Sequence, residues 1–213
     1  MIPTRRTSRA IGVVALAIGC SGPPTKSKMT LQEMITADPL PLTRGSKWTY
    51  TVEVKRFDVD TNKVQSKTIP WTTEVVDSKE SNGVTAYRVR GWPTDLADYD
   101  GTAAAPSPTE TTILRKDGSF LFGATAEPTL DGATGWFSWP VIDGQTICPN
   151  QSVYCWQVTA VETGYKLSFS TGPDEQAFEL EPGTGVSRFR YVRHGTTNEV
   201  EAKLVAYSKG GRR

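Results

Sequence analysis

Histidine is almost missing from this 213-residue sequence, where His194 is the only one. Metal centres and acid–base pairs built on imidazole therefore have a single candidate. No apolar run approaches the roughly 20 residues that a membrane-spanning helix needs. The most apolar stretch, Ala10–Gly19 (AIGVVALAIG), has ten residues. An excess of one charge sign is missing as well, with 24 basic residues against 23 acidic ones. Arg5, Arg6 and Arg9 belong to the N-terminal segment, so the rest of the chain is slightly acidic. Nucleic-acid binders gather Lys and Arg on one face, and nucleic acid is not expected as a partner. The patterns G-x-S-x-G, H-E-x-x-H, G-x-x-x-x-G-K-[ST] and G-x-G-x-x-G do not occur. The common nucleophilic, zinc and phosphate-binding signatures are thereby removed. No repeat of fixed period is visible, which excludes a solenoid or propeller. The chain is expected to be no enzyme and to hold no cofactor or metal.

What is present begins at the N-terminus. Three arginines, a short apolar run and small residues at its end make a secretory signal. The segment Ala17-Ile18-Gly19-Cys20 resembles the bacterial lipobox, in which small residues precede a lipidated cysteine. The resemblance implies acylation of Cys20 and cleavage before it. Ala17 departs from the usual Leu at that position, although Leu16 is adjacent. Arg5-Arg6 is similar to a twin-arginine signal, but Thr7, Ser8 and Arg9 stand where apolar residues normally follow. By the lipoprotein sorting rule, Ser21 after the cysteine implies the outer membrane. Two or more acyl chains hold a protein stably where one does not. The expected division is a signal peptide at 1–19, a lipidated cysteine and tether at 20–29, one β-rich domain at 30–208 and a basic tail at 209–213. Partners are then the membrane, through the lipid anchor, and an unidentified envelope component.

The other two cysteines agree with an oxidising compartment. Cys148 and Cys155 flank the turn-forming Pro149-Asn150, and an even pair in an exported chain reads as a disulfide. A metal site would need more ligands than one distant histidine supplies.

Thr30-Leu31-Gln32-Glu33 has the form of a capping box, and Asp38-Pro39-Leu40-Pro41 must end the short helix it starts. From Trp48 onward apolar and polar residues alternate, the mark of half-buried antiparallel strands. Trp48, Tyr50, Val52 and Val54 share one face; Trp71, Thr73 and Val75 another, before a polar turn over Asp77–Gly83. Further strands contain Tyr87 and Val89, Ile113, Phe120 and Phe122, Trp156 and Val158, Tyr165 and Leu167, Phe178 and Leu180, Phe189 and Tyr191. Val200, Ala202, Leu204 and Ala206 close the series. The fold class is all-β: an antiparallel meander of about ten strands, curled into a barrel, half-barrel or sandwich, with one short N-terminal helix. Pro93–Glu110 reads as a long, mobile polar loop, and Ala126–Gln145 as a second, aromatic one.

Pro41-Leu42-Thr43-Arg44-Gly45-Ser46-Lys47-Trp48-Thr49-Tyr50 resembles an opening shared by uncharacterised bacterial lipoproteins, P-L-x-x-G-x-x-W-x-Y. Gly183-Thr184-Gly185-Val186 and His194-Gly195-Thr196-Thr197-Asn198-Glu199 are similar to endings of small myxobacterial lipoproteins. That family brings no activity.

Three groups of residues could still carry chemistry. His194 sits in what reads as a hairpin turn, with Gly195 supplying positive φ. Asp95, Asp98 and Asp100 are acidic, but their spacing is not that of a calcium loop. Trp136, Phe137 and Trp139 could form a ligand platform on the aromatic loop, or fold inward and plug the barrel. The functional expectation is a non-enzymatic binding or structural module of the envelope. The alternative is a carrier with an apolar ligand in the concavity of its sheet.

Overall fold

The computed structural model describes residues 30–149, 154–194 and 198–211. The expected signal peptide, Cys20 and the expected tether lie outside the described residues, as do Asn150, Gly195, Thr196, Thr197 and residues 212–213. The capping box at Thr30 forms as the sequence indicates. The Thr30 hydroxyl accepts the Glu33 backbone N–H, and the Glu33 carboxylate accepts the Thr30 N–H at 2.7 Å. It starts α1 (Leu31–Thr36), which ends at Ala37 ahead of the Asp38-Pro39 step.

Twelve strands follow: β1 (Lys47–Asp58), β2 (Lys63–Ser81), β3 (Val84–Arg90), β4 (Glu110–Lys116), β5 (Ser119–Gly123), β6 (Thr134–Ser138), β7 (Thr146–Ile147), β8 (Trp156–Val161), β9 (Gly164–Ser170), β10 (Asp174–Glu181), β11 (Gly185–Arg193) and β12 (Asn198–Ser208). All pair antiparallel in one sheet of order β6-β5-β4-β3-β2-β1-β12-β11-β10-β9-β8-β7. First and last strands pair along their length, from Lys47 opposite Ser208 to Arg56 opposite Asn198. The sheet thus curls into a nearly closed barrel whose seam falls between β6 and β7. Those two are the strands that sequence periodicity reads as loop, because β7 has two residues and β6 buries the adjacent Trp136 and Phe137 instead of alternating.

The pleat sends one face of every strand inward. Tyr50, Val52 and Val54 of β1, Trp71 and Val75 of β2, Phe178 and Leu180 of β10, and Phe189 of β11 fill the interior. β-Bulges adjust this alternation. One between Thr49 and Tyr50 shifts β1 against β12, so Tyr207, not Ala206, turns inward and stacks on Trp48 at 5.2 Å. The polar stretch expected as a turn at Asp77–Gly83 continues as strand to Ser81, and the turn contracts to Asn82-Gly83, both at positive φ. A second small cluster of Val84, Ala86 and Leu114 forms on the outer side, covered by Leu121 and Ala133.

The up-and-down course gives the barrel two distinct ends. At the near end, where the chain enters, lie α1, the turns after β2, β4, β8 and β10, the crossing from β6 to β7, and the C-terminus. Gly183 donates its N–H to the Asp38 carbonyl there, and Arg115 pairs with Asp38 at 2.7 Å. The far end carries the longer loops. Pro93–Glu110 is not the mobile loop its composition suggests. It begins with a 3-10 turn (Pro93–Leu96), buries Leu96 and Tyr99, and is pinned by Asp95 bonding Thr109 and by Lys67 bonding the Gly101 and Ala103 carbonyls. Buried apolar side chains outweigh the polar composition that surrounds them.

Candidate functional site

Burial separates the three aromatic residues of the segment around Trp136. β6 places Trp136 and Phe137 in the core, 1% and 2% exposed. A bulge between Phe120 and Leu121 lets both turn inward although they are adjacent in sequence. Trp136 meets Trp92 at 5.8 Å, Phe122 at 5.1 Å and Phe178 at 5.1 Å, ring centre to ring centre. These residues are therefore core and not the ligand platform that was one of their two expected roles. The indole N–H groups of Trp92 and Trp136 find no hydrogen-bond acceptor. Burying one indole removes some 200 Å² from water, worth about 5 kcal/mol at 25 cal/mol/Å². That exceeds the roughly 1–3 kcal/mol cost of an unpaired donor. Trp139 leaves the strand at the near end, half-buried, with its ring edge-on to Tyr165 at 5.6 Å and its Nε1 donating to the Ile35 carbonyl.

With this packing the interior holds side chains where a carrier needs a chamber. The hollows found among the described residues open to solvent. One of about 610 Å³ lies on the outer face of β7–β11. Its lining follows one register row: Thr146, Gln157, Ser168, Ala177 and Arg190 stand side by side on successive strands. The small Ala177 side chain makes the hollow, and Lys166, Glu175 and Arg190 border it. Hydroxyl, amide and charged groups share its walls with apolar surface such as Phe169 and Ala177. The sequence gives no signal for this site, because its residues are the outward, mostly polar positions of five strands, which look like ordinary solvated faces.

Around the hollow the outer face is a ladder of opposite charges. Arg188 of β11 bridges Glu179 of β10 and Glu201 of β12, and Lys203 joins Glu201 at 2.7 Å. Arg190 joins Glu199 at 2.8 Å and Glu175 at 3.8 Å. Partial burial alone would raise the Glu201 pKa. The hydrogen bonds from Lys203 and Arg188 outweigh it and hold the carboxyl below the usual glutamate range. Cross-strand pairs of this kind contribute about 0.2–1 kcal/mol each, little beside the aromatic interior. Their position is more telling than their energy. A barrel that crosses a membrane carries an apolar band outside and polar groups within; this one has the reverse.

The remaining candidates are dispersed. Cys148 and Cys155 form a disulfide, 4.2 Å between Cα atoms, which closes the connection from β7 to β8 at the far end. Asp95, Asp98 and Asp100 do not converge: they engage Thr109, Arg193 and Thr102 respectively. Among the described residues no three His, Cys, Asp or Glu side chains gather as a metal site. His194 is half exposed at the far end, its Nε2 at 3.1 Å from Glu175 Oε1. Cys20 lies outside the described residues.

No family model and no curated protein matches the chain. Among solved structures, the chain is similar to a candidate exported protein with a YmcC-like fold from Bacteroides fragilis. That likeness has a TM-score of 0.45 and 11% identity, over 81% of this chain and 100% of the other. It is also similar to a candidate lipoprotein from Parabacteroides distasonis, with a TM-score of 0.42 and 8% identity, over 81% and 99% of the two chains.

Proposed function

We propose that the chain is a lipid-anchored protein of the bacterial envelope, most specifically of the outer membrane. In this reading the barrel is a rigid, non-enzymatic module that meets an envelope component with its outer surface. The observation that carries the reading is the aromatic interior around Trp136. It leaves the polar outer face, with the hollow over Ala177, as the surface open to a partner. Cys20 supplies the anchor, and the disulfide fits an exported protein. The filled interior speaks against the carrier alternative.

Two measurements test this. Cys20→Ala should move the protein from membranes to the soluble fraction, and only the wild type should take up a labelled fatty acid. A variant that stays on membranes, with no label on the wild type, overturns the anchoring. Native mass spectrometry of the purified lipoprotein should find no internally held apolar ligand; a stoichiometric one would restore the carrier reading.

A further inference from the structure

We propose that the near end of the barrel rests on the phospholipid surface, with Ile142, Pro140, Trp139 and Ile35 seated among the lipid headgroups. This rests on the reading that Cys20 is the anchor. Nine residues, 21–29, separate Cys20 from Thr30. Fully extended they span at most about 30 Å. Thr30 opens α1 at the near end, so that end is held within this distance of the bilayer.

The same end presents apolar side chains to solvent. Ile142 is 70% exposed on the crossing from β6 to β7, and Ile35 is 37% exposed on α1. Pro140 is exposed beside them, and Trp139 is half-buried. The bond from Trp139 Nε1 to the Ile35 carbonyl, 2.9 Å, ties the two segments into one patch. An aromatic ring with a polar edge, flanked by aliphatic groups, suits the interface between headgroups and acyl chains. Across the same end, exposed Arg44 and Lys209 border a hollow beside Gly210, against one acid, Glu80. Cations there are drawn to anionic lipids.

Of the other exposed large apolar residues, Val205 is on the wall of β12, and Val59, Val64, Leu130 and Tyr154 are toward the far end. Val59 is 80% exposed, at the tip of the hairpin joining β1 and β2. The twelve residues of β1 separate it from the near end, about 40 Å at strand rise. The barrel would then stand upright, turning the pinned loop after β3, the disulfide and His194 away from the membrane.

The test uses the full lipidated chain in phosphatidylethanolamine–phosphatidylglycerol vesicles, with Ile142→Cys or Val59→Cys carrying a nitroxide. Both positions are exposed, so the variants should melt with the wild type. The label at Ile142 should be several-fold more accessible to oxygen relative to a nickel chelate than the label at Val59. Equal, water-like accessibility of both labels on membrane-bound, acylated protein overturns the proposal alone. Absence of an acyl group on the purified wild-type protein overturns the anchoring and the proposal together.

Discussion

Trp92 and Trp136 meet edge to face inside the barrel, ring centres 5.8 Å apart and planes at 87°. One comes from the segment after β3 and the other from β6, which edges the seam. Trp92 also stacks on Phe178 of β10 at 5.9 Å. The pair thereby links both halves of the sheet, although no strand hydrogen bonds cross between β6 and β7.

Truncating this pair should be costly. Trp136→Ala is expected to lower stability by roughly 3–5 kcal/mol, the range for a large buried aromatic. Trp139→Ala, at a half-buried position with one hydrogen bond and one ring contact, should cost about 1–2 kcal/mol. Urea melts of the two variants measure both. Equal losses would contradict the division between a core and an end position.

Removing the disulfide tests the far end. Cys148→Ser with Cys155→Ser should cost about 2.5 kcal/mol from the loop-entropy relation for an eight-residue ring. The comparison is a thermal melt of the double variant against the oxidised wild type. No loss at all would mean that the connection from β7 to β8 is ordered without the bond.

Gly91 marks a close approach. Its carbonyl accepts both the Trp71 indole N–H at 2.8 Å and the Thr73 hydroxyl at 2.6 Å. Its φ is +69°, and an added Cβ would run into the Thr72 carbonyl oxygen. Gly91→Ala should therefore destabilise by more than about 1 kcal/mol. Gly83→Ala offers the control: it has a similar φ of +74° but open space around it. It should lose less in the same denaturation series.

The charge ladder predicts an acid response. The folded-state pKa of Glu201 lies below its ordinary value of 4.5. Its contribution is therefore complete above that value and is lost as pH falls through the depressed one. Glu201→Gln should cost about 0.5–2 kcal/mol at neutral pH, from its two pairs with Arg188 and Lys203. The difference between variant and wild type should shrink below pH 4.5. A difference independent of pH would mean that the carboxylate charge plays no part.

How much of this was legible in the sequence depends on the range of the forces involved. Strand periodicity is local, because successive side chains alternate across the pleat. Trp48, Tyr50, Val52 and Val54 therefore announce their shared face directly. The capping box and the cysteine pair are equally short-range signals. The seam between β6 and β7 is not local: β7 has two residues, and in β6 the bulge buries the adjacent Trp136 and Phe137 together, which breaks the alternation. Bulges defeat the pattern in the same way: one moved Tyr207 inward in place of Ala206. The loop after β3 looked loose because its composition is polar, yet Leu96 and Tyr99 found a core to enter.

The sequence by itself determined the all-β class, the antiparallel order and the short capped helix, all written in neighbours a few residues apart. Only the tertiary structure decided that Trp136 and Phe137 are core and that a hollow forms over Ala177. It also brought Ile35 and Ile142 to one end of the barrel. Those outcomes depend on which strands meet across the barrel. That is settled by packing a limited set of large aromatics into one closed interior, a global constraint that no short stretch of chain carries.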